Sequence, residues 1–143
     1  MGSRKRLAAE ARKEANKTKY MARLVDYPTS PRKMRLVADL IRGMDCNEAL
    51  DVLQFTPKSG ALPMSKLLRS AIANFEQKSG LRADAEPLYV KEVFVDSAKM
   101  LKRIQPAPQG RAHRIRKRSN HVTIIVDTKQ ATEPVAVEAT NQE

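Results

Sequence analysis

The sequence has no tryptophan and a single cysteine, and aromatic residues make up only 4% of its 143 residues. Cys46 alone cannot form a disulfide within the chain, and it cannot supply a cysteine-rich zinc site. A single cysteine suits the reducing cytoplasm, where we expect the protein to be located. No apolar stretch approaches the roughly 18 residues of a membrane-spanning helix, which argues against a membrane protein.

Residues that catalysis and cofactor binding require are also scarce. The five glycines are isolated from one another, so there is no glycine-rich loop to hold a phosphate group. The two histidines, His113 and His121, have no acidic partner close by in the sequence. Asp45 and Glu48 have the spacing of a helix-capping pair instead of an acid/base pair. We therefore predict that the chain is not an enzyme and that it has no catalytic residue, metal or cofactor.

Basic residues are abundant, and they are unevenly distributed along the chain. The formal net charge is +11. Residues 1–25 carry +6 and residues 97–126 carry +8, and the second of these segments contains no acid. Residues 26–96 are neutral overall, and residues 127–143 carry −3. Two basic segments on a neutral body indicate a polyanionic partner, for which nucleic acid is the first candidate. A membrane surface would require tryptophan or phenylalanine beside the cations, and we expect no membrane partner.

The neutral body shows clear signals of strands and helices. Branched and aromatic residues predict β-strands at 20–27, 88–96 and 121–127. Apolar residues at helical spacing predict three helices between the first two strands, from Pro31 to Gly43, after Asp45, and up to Gly80. The predicted class is α+β, with three helices packed on a small three-stranded antiparallel sheet and a long protruding β-hairpin.

We place the hairpin at residues 97–120, and its sequence is too polar to bury itself. Each arm has about ten residues, so at ~3.3 Å per residue it reaches roughly 30 Å beyond the body. An isolated ribbon of two strands is marginally stable in water, but phosphates that neutralise its cations would order it. The predicted RNA-binding residues of the hairpin are Lys99, Lys102, Arg103, Arg111, His113, Arg114, Arg116, Lys117 and Arg118. Those of the body are Lys19, Arg23, Arg32, Lys33 and Arg35.

The chain is expected to have three parts. Residues 1–18 form a basic N-terminal extension, which is either a loose helix that touches RNA or a flexible arm. Residues 19–129 form a single globular α+β domain that carries the hairpin. Residues 130–143 form an acidic tail without helical or strand periodicity, and we predict that this tail is disordered.

Several segments of the chain resemble one known protein family. They read SPRKMRLVADLIRG, EALDVLQF, SAIANFE and, above all, VFVDSAKMLKRIQPAPQGRAHRIRKRSNHVTIIV. Together, over roughly residues 19–129, they are similar to the bacterial family of protein twenty-two of the large ribosomal subunit. The spacing of Gly110, Arg111, Arg114 and Ile115 matches the family pattern throughout. The N-terminal extension and the tail lie outside that pattern.

The resemblance implies a structural component of the large ribosomal subunit. Such a protein binds large-subunit ribosomal RNA, bridges several RNA domains during assembly, and contacts neighbouring ribosomal proteins. Its hairpin helps line the exit tunnel and faces the nascent polypeptide. The implied tunnel-lining tip consists of Leu101, Arg103, Gln105, Pro106, Ala107, Pro108, Gln109, Gly110 and Arg111. Pro108 and Gln109 stand where basic residues are expected, so this tip is less cationic than the family pattern.

An alternative is an architectural protein that uses a basic β-ribbon to bind DNA or RNA outside the ribosome. Such a protein needs a dimer to clamp DNA. The sequence offers no spare apolar face on the body for dimerisation, and we expect no homo-oligomer.

Overall fold

The structure, a computed structural model, describes residues 3–17, 19–82 and 87–128. The helices are α1 (Ser3–Lys17), α2 (Pro31–Ile41), α3 (Cys46–Phe55) and α4 (Ala61–Ser79). The strands are β1 (Tyr20–Tyr27), β2 (Leu88–Ser97), β3 (Leu101–Ala107), β4 (Arg111–Lys117) and β5 (Asn120–Thr128). The predicted α+β class is confirmed, and α1 adds a fourth helix in the N-terminal extension. The predicted disordered tail lies outside the described residues.

Three strands form an antiparallel sheet in the order β1-β5-β2, so β5 is the central strand. Along β5, Val122, Ile124 and Val126 are buried, while the residues between them are only half-buried. Because side chains alternate between the two faces of a strand, this pattern assigns one face of the sheet to the core. The hairpin is inserted between β2 and β5, and it therefore extends from the pair formed by the central strand and one edge strand of the sheet.

Helices α2, α3 and α4 cover the buried face of the sheet. Met34 and Ile41 of α2 and Leu68 and Phe75 of α4 are at most 1% exposed. The ring of Phe75 packs edge-on against Tyr20 of β1, with ring centroids 4.7 Å apart. Burial of each such side chain stabilises the fold by about 1.5–3 kcal/mol. No helix within residues 3–17, 19–82 and 87–128 is long and apolar enough to span a membrane.

The start of α3 differs from the sequence prediction. Asp45 occupies the predicted N-cap position and Glu48 lies in the first turn, but the predicted cap hydrogen bond from the Asp45 side chain is wrong, because that side chain makes none. The chain before α3 instead pairs with β2 through its backbone. The amide of Gly43 donates to the carbonyl of Val90 at 3.0 Å, and the amide of Val90 donates to the carbonyl of Met44 at 2.9 Å. Tertiary pairing thus holds this helix start in place of a local cap.

Both edge strands of the sheet are bonded to helix side chains. On β1, the carbonyl of Met21 accepts a hydrogen bond from Nδ2 of Asn74 at 3.0 Å. On β2, the carbonyl of Val95 accepts a hydrogen bond from Nη2 of Arg35 at 3.1 Å. These bonds occupy edge carbonyls that would otherwise be open to pairing with another strand.

Apolar residues are nevertheless exposed on the body. Phe55 at the end of α3 is 83% exposed, Leu62 near the start of α4 is 67% exposed, and Phe94 on the uncovered face of the sheet is 46% exposed. These residues lie on different elements and on both sides of the sheet, and single exposed apolar side chains are usual on a protein surface. The expectation that the body has no spare apolar face therefore stays a prediction. The absence of a homo-oligomer stays a prediction.

Candidate nucleic-acid interface

The hairpin leaves the sheet through a short neck. Ser97 and Asn120 form the last residue pair of β2 and β5, and the amide of Ala98 donates to the carbonyl of Ser119 at 3.0 Å. Asn120 is fully buried, and its Nδ2 donates to the carbonyl of Thr29 at 2.8 Å and to the Thr29 hydroxyl at 2.7 Å. The base of the hairpin is thereby bonded to the loop between β1 and α2.

Beyond the neck, β3 and β4 form a separate antiparallel ribbon. Its residue pairs run from Leu101 opposite Lys117 to Ala107 opposite Arg111. Every ribbon residue is exposed except Ala107 and Ile115, which are half-buried, and even Ile104 is 73% exposed. The predicted protruding hairpin is confirmed. It has no core of its own, so its order depends on its backbone pairing and on its surroundings.

The register of the ribbon distributes its cations over both faces. Residues directly opposite each other on antiparallel strands point to the same face. One face carries Arg103, Arg111 and Lys117, together with His113. The other face carries Lys102, Arg114 and Arg116. Each face thus presents three permanently charged side chains, and neither is reserved for packing against the protein.

Like charges also oppose each other across the strands. Lys102 is the direct partner of Arg116, and residues 101–117 contain no acid that could separate them. Like charges in this position destabilise a strand pair. Nη1 of Arg103 donates to the carbonyl of Lys102 at 3.0 Å, which satisfies only one of its five donors. A polyanion placed against the face that carries Lys102 and Arg116 would relieve this repulsion.

The tip of the hairpin is uncharged from Gln105 to Gly110. Gln109 and Gly110 both have left-handed backbone conformations, with φ of 60° and 70°, and the amide of Arg111 lies 3.4 Å from the carbonyl of Pro108. The turn is therefore Pro108–Gly110, and Pro106 lies inside β3 opposite Ala112. Proline is tolerated there because each strand of a two-stranded ribbon has a free edge.

The predicted RNA-binding residues of the body are distributed over both sides of the sheet. Arg32 and Lys33 are exposed on α2, which covers one face of the sheet. Nε and Nη2 of Arg35 lie 3.4 and 3.1 Å from the Val95 carbonyl, close to the neck. Arg23 is exposed on the opposite face of the sheet, and Lys19 immediately precedes β1.

His121 has an acidic neighbour that the sequence did not suggest. Its Nδ1 accepts a hydrogen bond from the amide of Asp26 at 3.0 Å, and its Nε2 lies 3.8 Å from the Asp26 carboxylate. The two residues are 95 positions apart and meet because β1 pairs with β5. Among the described residues, no three possible metal-ligating side chains cluster together.

Sequence reasoning also missed a group of cations on the helical layer. Lys58, Lys66 and Arg69 line a groove between the end of α3 and the start of α4, beside the exposed Leu62. The three residues are dispersed along the neutral segment of the chain, so their proximity has no signal in the charge pattern.

A neutral α+β body with a ribbon that is cationic on both faces has the charge pattern of a basic structural protein. Comparison with known protein families matches residues 22–127 to the family described as Ribosomal protein L22p/L17e. The chain belongs to this family, as its motifs implied. It is a structural, non-enzymatic protein of the large-subunit ribosomal class, and its expected location on cytoplasmic ribosomes is confirmed.

Relatives match the chain over nearly its whole length. The protein named large ribosomal subunit protein uL22 of Bacteroides fragilis (strain YCH46) is 60% identical over 133 residues, which are 93% of this chain and 98% of the relative. The protein of the same name from Parabacteroides distasonis is 63% identical over 128 residues, covering 90% of this chain and 94% of the relative. The protein of the same name from Flavobacterium psychrophilum is 52% identical over 136 residues, which are 94% of this chain and 99% of the relative.

Proposed function

We propose that this protein binds large-subunit ribosomal RNA chiefly through the ribbon formed by β3 and β4. The observation that carries the proposal is the distribution of three cations on each face of a ribbon without acids. A ribbon that read one groove would need charge on one face only. Charge on both faces fits a segment surrounded by phosphates, as occurs inside a folded RNA. Lys99 and Arg118 extend the charge to the neck.

The salt dependence of RNA binding tests this proposal. The ribbon, by neutralising five to seven phosphates, should contribute about −4 to −6 to the slope of log affinity against log salt of the whole protein. A variant in which residues 99–118 are replaced by a short turn should bind weakly and with a shallower slope. A matched variant with alanine at Lys58, Lys66 and Arg69 should keep most of the affinity. Equal affinity and equal slope for the whole protein and the shortened variant would overturn the proposal.

The body is proposed to contact RNA segments other than those around the ribbon. Arg32 and Lys33 project from the helical layer, whereas Arg23 projects from the uncovered face of the sheet. Cations on opposite sides of a rigid body favour a role in bridging several RNA domains during assembly, beside neighbouring ribosomal proteins. Co-sedimentation with large subunits at moderate salt distinguishes this role from an architectural function outside the ribosome, for which the protein should remain in the supernatant.

The hairpin tip is proposed to line the exit tunnel and to face the nascent polypeptide. The support is the composition of the tip. Residues 105–110, which form the turn and lead into it, are uncharged, and Arg103 and Arg111 flank them. Arginine can bind phosphates through a forked guanidinium group, which would hold the tip at a defined position.

Removal of Leu101, Lys102 and Arg103 tests the tunnel role. An odd number of deleted residues reverses the alternation of the remaining strand, so the tip should move while the body still docks. Ribosomes with this deletion should show an altered response to macrolide antibiotics. Ribosomes with the single substitution Lys66→Ala, on the helical layer and outside the hairpin, should respond as those with the unchanged protein do. An unchanged tip position and macrolide response in the deletion variant would refute the tunnel role.

A further inference from the structure

Helix α1 projects from the body without burying any apolar face. Residues 3–14, 16 and 17 are all exposed, and its largest apolar side chain, Leu7, is 56% exposed. Most helices in folded proteins gain their stability from packing an apolar face, and isolated helices of this length are marginal in water. The helix does contain residues of high helix propensity, mainly alanine, lysine and arginine. Its sequence thus favours a helix whose partner is not the body.

The charges of α1 are divided between two sides of the helix. At about 100° per residue, Arg4, Lys5 and Arg12 fall on one side together with alanine residues and Asn16, and that side carries no acid. Arg6, Lys13 and Lys17 fall on the other side together with Glu10 and Glu14. Nε of Arg6 lies 3.5 Å from the Glu10 carboxylate, so part of the charge on this second side is neutralised within the helix.

We propose that the acid-free side of α1, formed by Arg4, Lys5 and Arg12, is a second RNA-binding surface that docks on the phosphate backbone. This inference rests on the proposed function and assigns a binding role to the N-terminal extension. Arg4 and Arg12 are about 12 Å apart along the helix axis, a distance that spans several phosphates of one strand. The small side chain of Ala8 between them allows the helix backbone to approach the RNA closely.

Charge complementarity selects RNA over an acidic protein surface as the partner. An RNA backbone presents a continuous row of negative charges, and three cations without an intervening acid match such a row. The apolar residues of the helix are alanines and Leu7, with no aromatic residue, whereas the core of a protein interface is enriched in aromatic residues and depleted of charge. The surface therefore has the composition of a phosphate contact rather than of a protein contact.

Two triple variants of the full-length protein test this proposal. The first replaces Arg4, Lys5 and Arg12 by alanine, and the second replaces Arg6, Lys13 and Lys17 by alanine. Both remove three cations from the same helix, and alanine preserves its helical propensity, which circular dichroism can verify. Binding is measured against protein-free large-subunit ribosomal RNA over a range of salt concentrations, with the hairpin-shortened variant in parallel.

The first variant should bind at least about tenfold more weakly at low salt, and its log–log salt slope should be shallower by about 2 to 3. The second variant should lose less than about threefold. Equal losses for the two variants, or no loss for either, would overturn the proposal. A defect that occurs only with assembled subunits, and not with protein-free RNA, would identify a protein contact and would also overturn it. Full binding by the hairpin-shortened variant would instead refute the ribbon proposal, independently of α1.

Discussion

The side-chain amide of Asn120 donates two hydrogen bonds to Thr29, to its carbonyl at 2.8 Å and to its hydroxyl at 2.7 Å. The two residues are 91 positions apart, and Asn120 is fully buried where β5 begins. Since Asn120 pairs with both Tyr27 and Ser97, this contact joins β1, β2 and the loop before α2 at the root of the hairpin. A buried polar contact therefore connects the root of the hairpin to the body.

Replacement of Asn120 should destabilise the protein. Asn120→Ala removes both donors and leaves the Thr29 carbonyl without this partner, at a cost of about 1–3 kcal/mol. Asn120→Asp, which has nearly the same shape, should cost more at neutral pH because it buries a carboxylate against an acceptor. That additional cost should shrink at pH 4, where protonation of the new carboxyl group restores a donor. Urea unfolding at neutral pH and at pH 4 measures the free energy of unfolding of both variants. A pH-independent difference between the variants would contradict the role of the donor.

The body should fold without the ribbon. Its buried residues all lie outside residues 99–118, and β2 and β5 remain paired up to Ser97 and Asn120. A variant with that segment replaced by a two-residue turn should therefore melt cooperatively. Leu68→Ala, at a fully buried position, should cost about 2–5 kcal/mol in both the full-length and the shortened protein. Loss of cooperativity on shortening, as seen by calorimetry, would show that the ribbon contributes to the core.

Lys102→Glu should separate the stability of the ribbon from its affinity for RNA. The substitution places opposite charges where Lys102 and Arg116 now repel, which should stabilise the free ribbon by about 0.2–1 kcal/mol. The same change removes one cation and adds an anion on a face proposed to contact phosphates, so RNA affinity should fall. NMR measurement of cross-strand contacts reports the stability of the free ribbon, and titration with RNA reports the affinity. A variant that binds RNA as well as the unchanged protein would count against this face as an RNA contact.

The stability of the hairpin should change in opposite directions when two neighbouring residues of its turn are substituted. Gln109 and Gly110 both have positive φ, which only glycine adopts without strain. Gln109→Gly should therefore favour the hairpin, and Gly110→Ala should disfavour it by about 1–2 kcal/mol. No atom lies within 4 Å of a side-chain carbon added at Gly110, so the cost would come from the backbone alone. Backbone chemical shifts of residues 101–117 report the hairpin population, and equal shifts in both variants would contradict the prediction.

Cys46 should make the folded state sensitive to alkaline pH. Burial, and secondarily the Asp45 carboxylate, raise the pKa of its thiol from 9.0 to about 11. Between these values the unfolded chain loses the thiol proton more readily than the folded protein does. The resulting stabilisation is complete below pH 9 and declines as the pH rises towards 11, by about 2–3 kcal/mol in total.

Cys46→Ala is the matched control for this pH dependence. The cavity that it leaves shifts stability by a similar amount at every pH, so only the slope of stability against pH is informative. Urea unfolding between pH 8 and pH 10.5 should show a steeper decline for the unchanged protein than for the variant. Identical slopes would mean that the thiol does not have a raised pKa in the folded state.

Local features of the sequence determined much of this structure. The predicted strand at 20–27 coincides with β1, and the other two predicted strands differ from β2 and β5 by one residue at some ends. Such strands are specified by hydrophobic periodicity and by residue propensity, and both signals come from residues that are close together in the sequence. The charge of the hairpin was equally visible, since net charge depends only on composition.

Tertiary structure decided which of these residues meet and which way they point. The register of β3 against β4 decides which cations share a face, and the geometry of the turn fixes that register, which net charge alone does not reveal. Pro106 belongs to the implied tunnel-lining tip, and only the strand pairing shows that it lies within β3, opposite Ala112. Contacts such as Asn120 with Thr29 join distant parts of the chain. Composition and periodicity act over a few residues, whereas these contacts form only when the whole sheet is assembled and buries them.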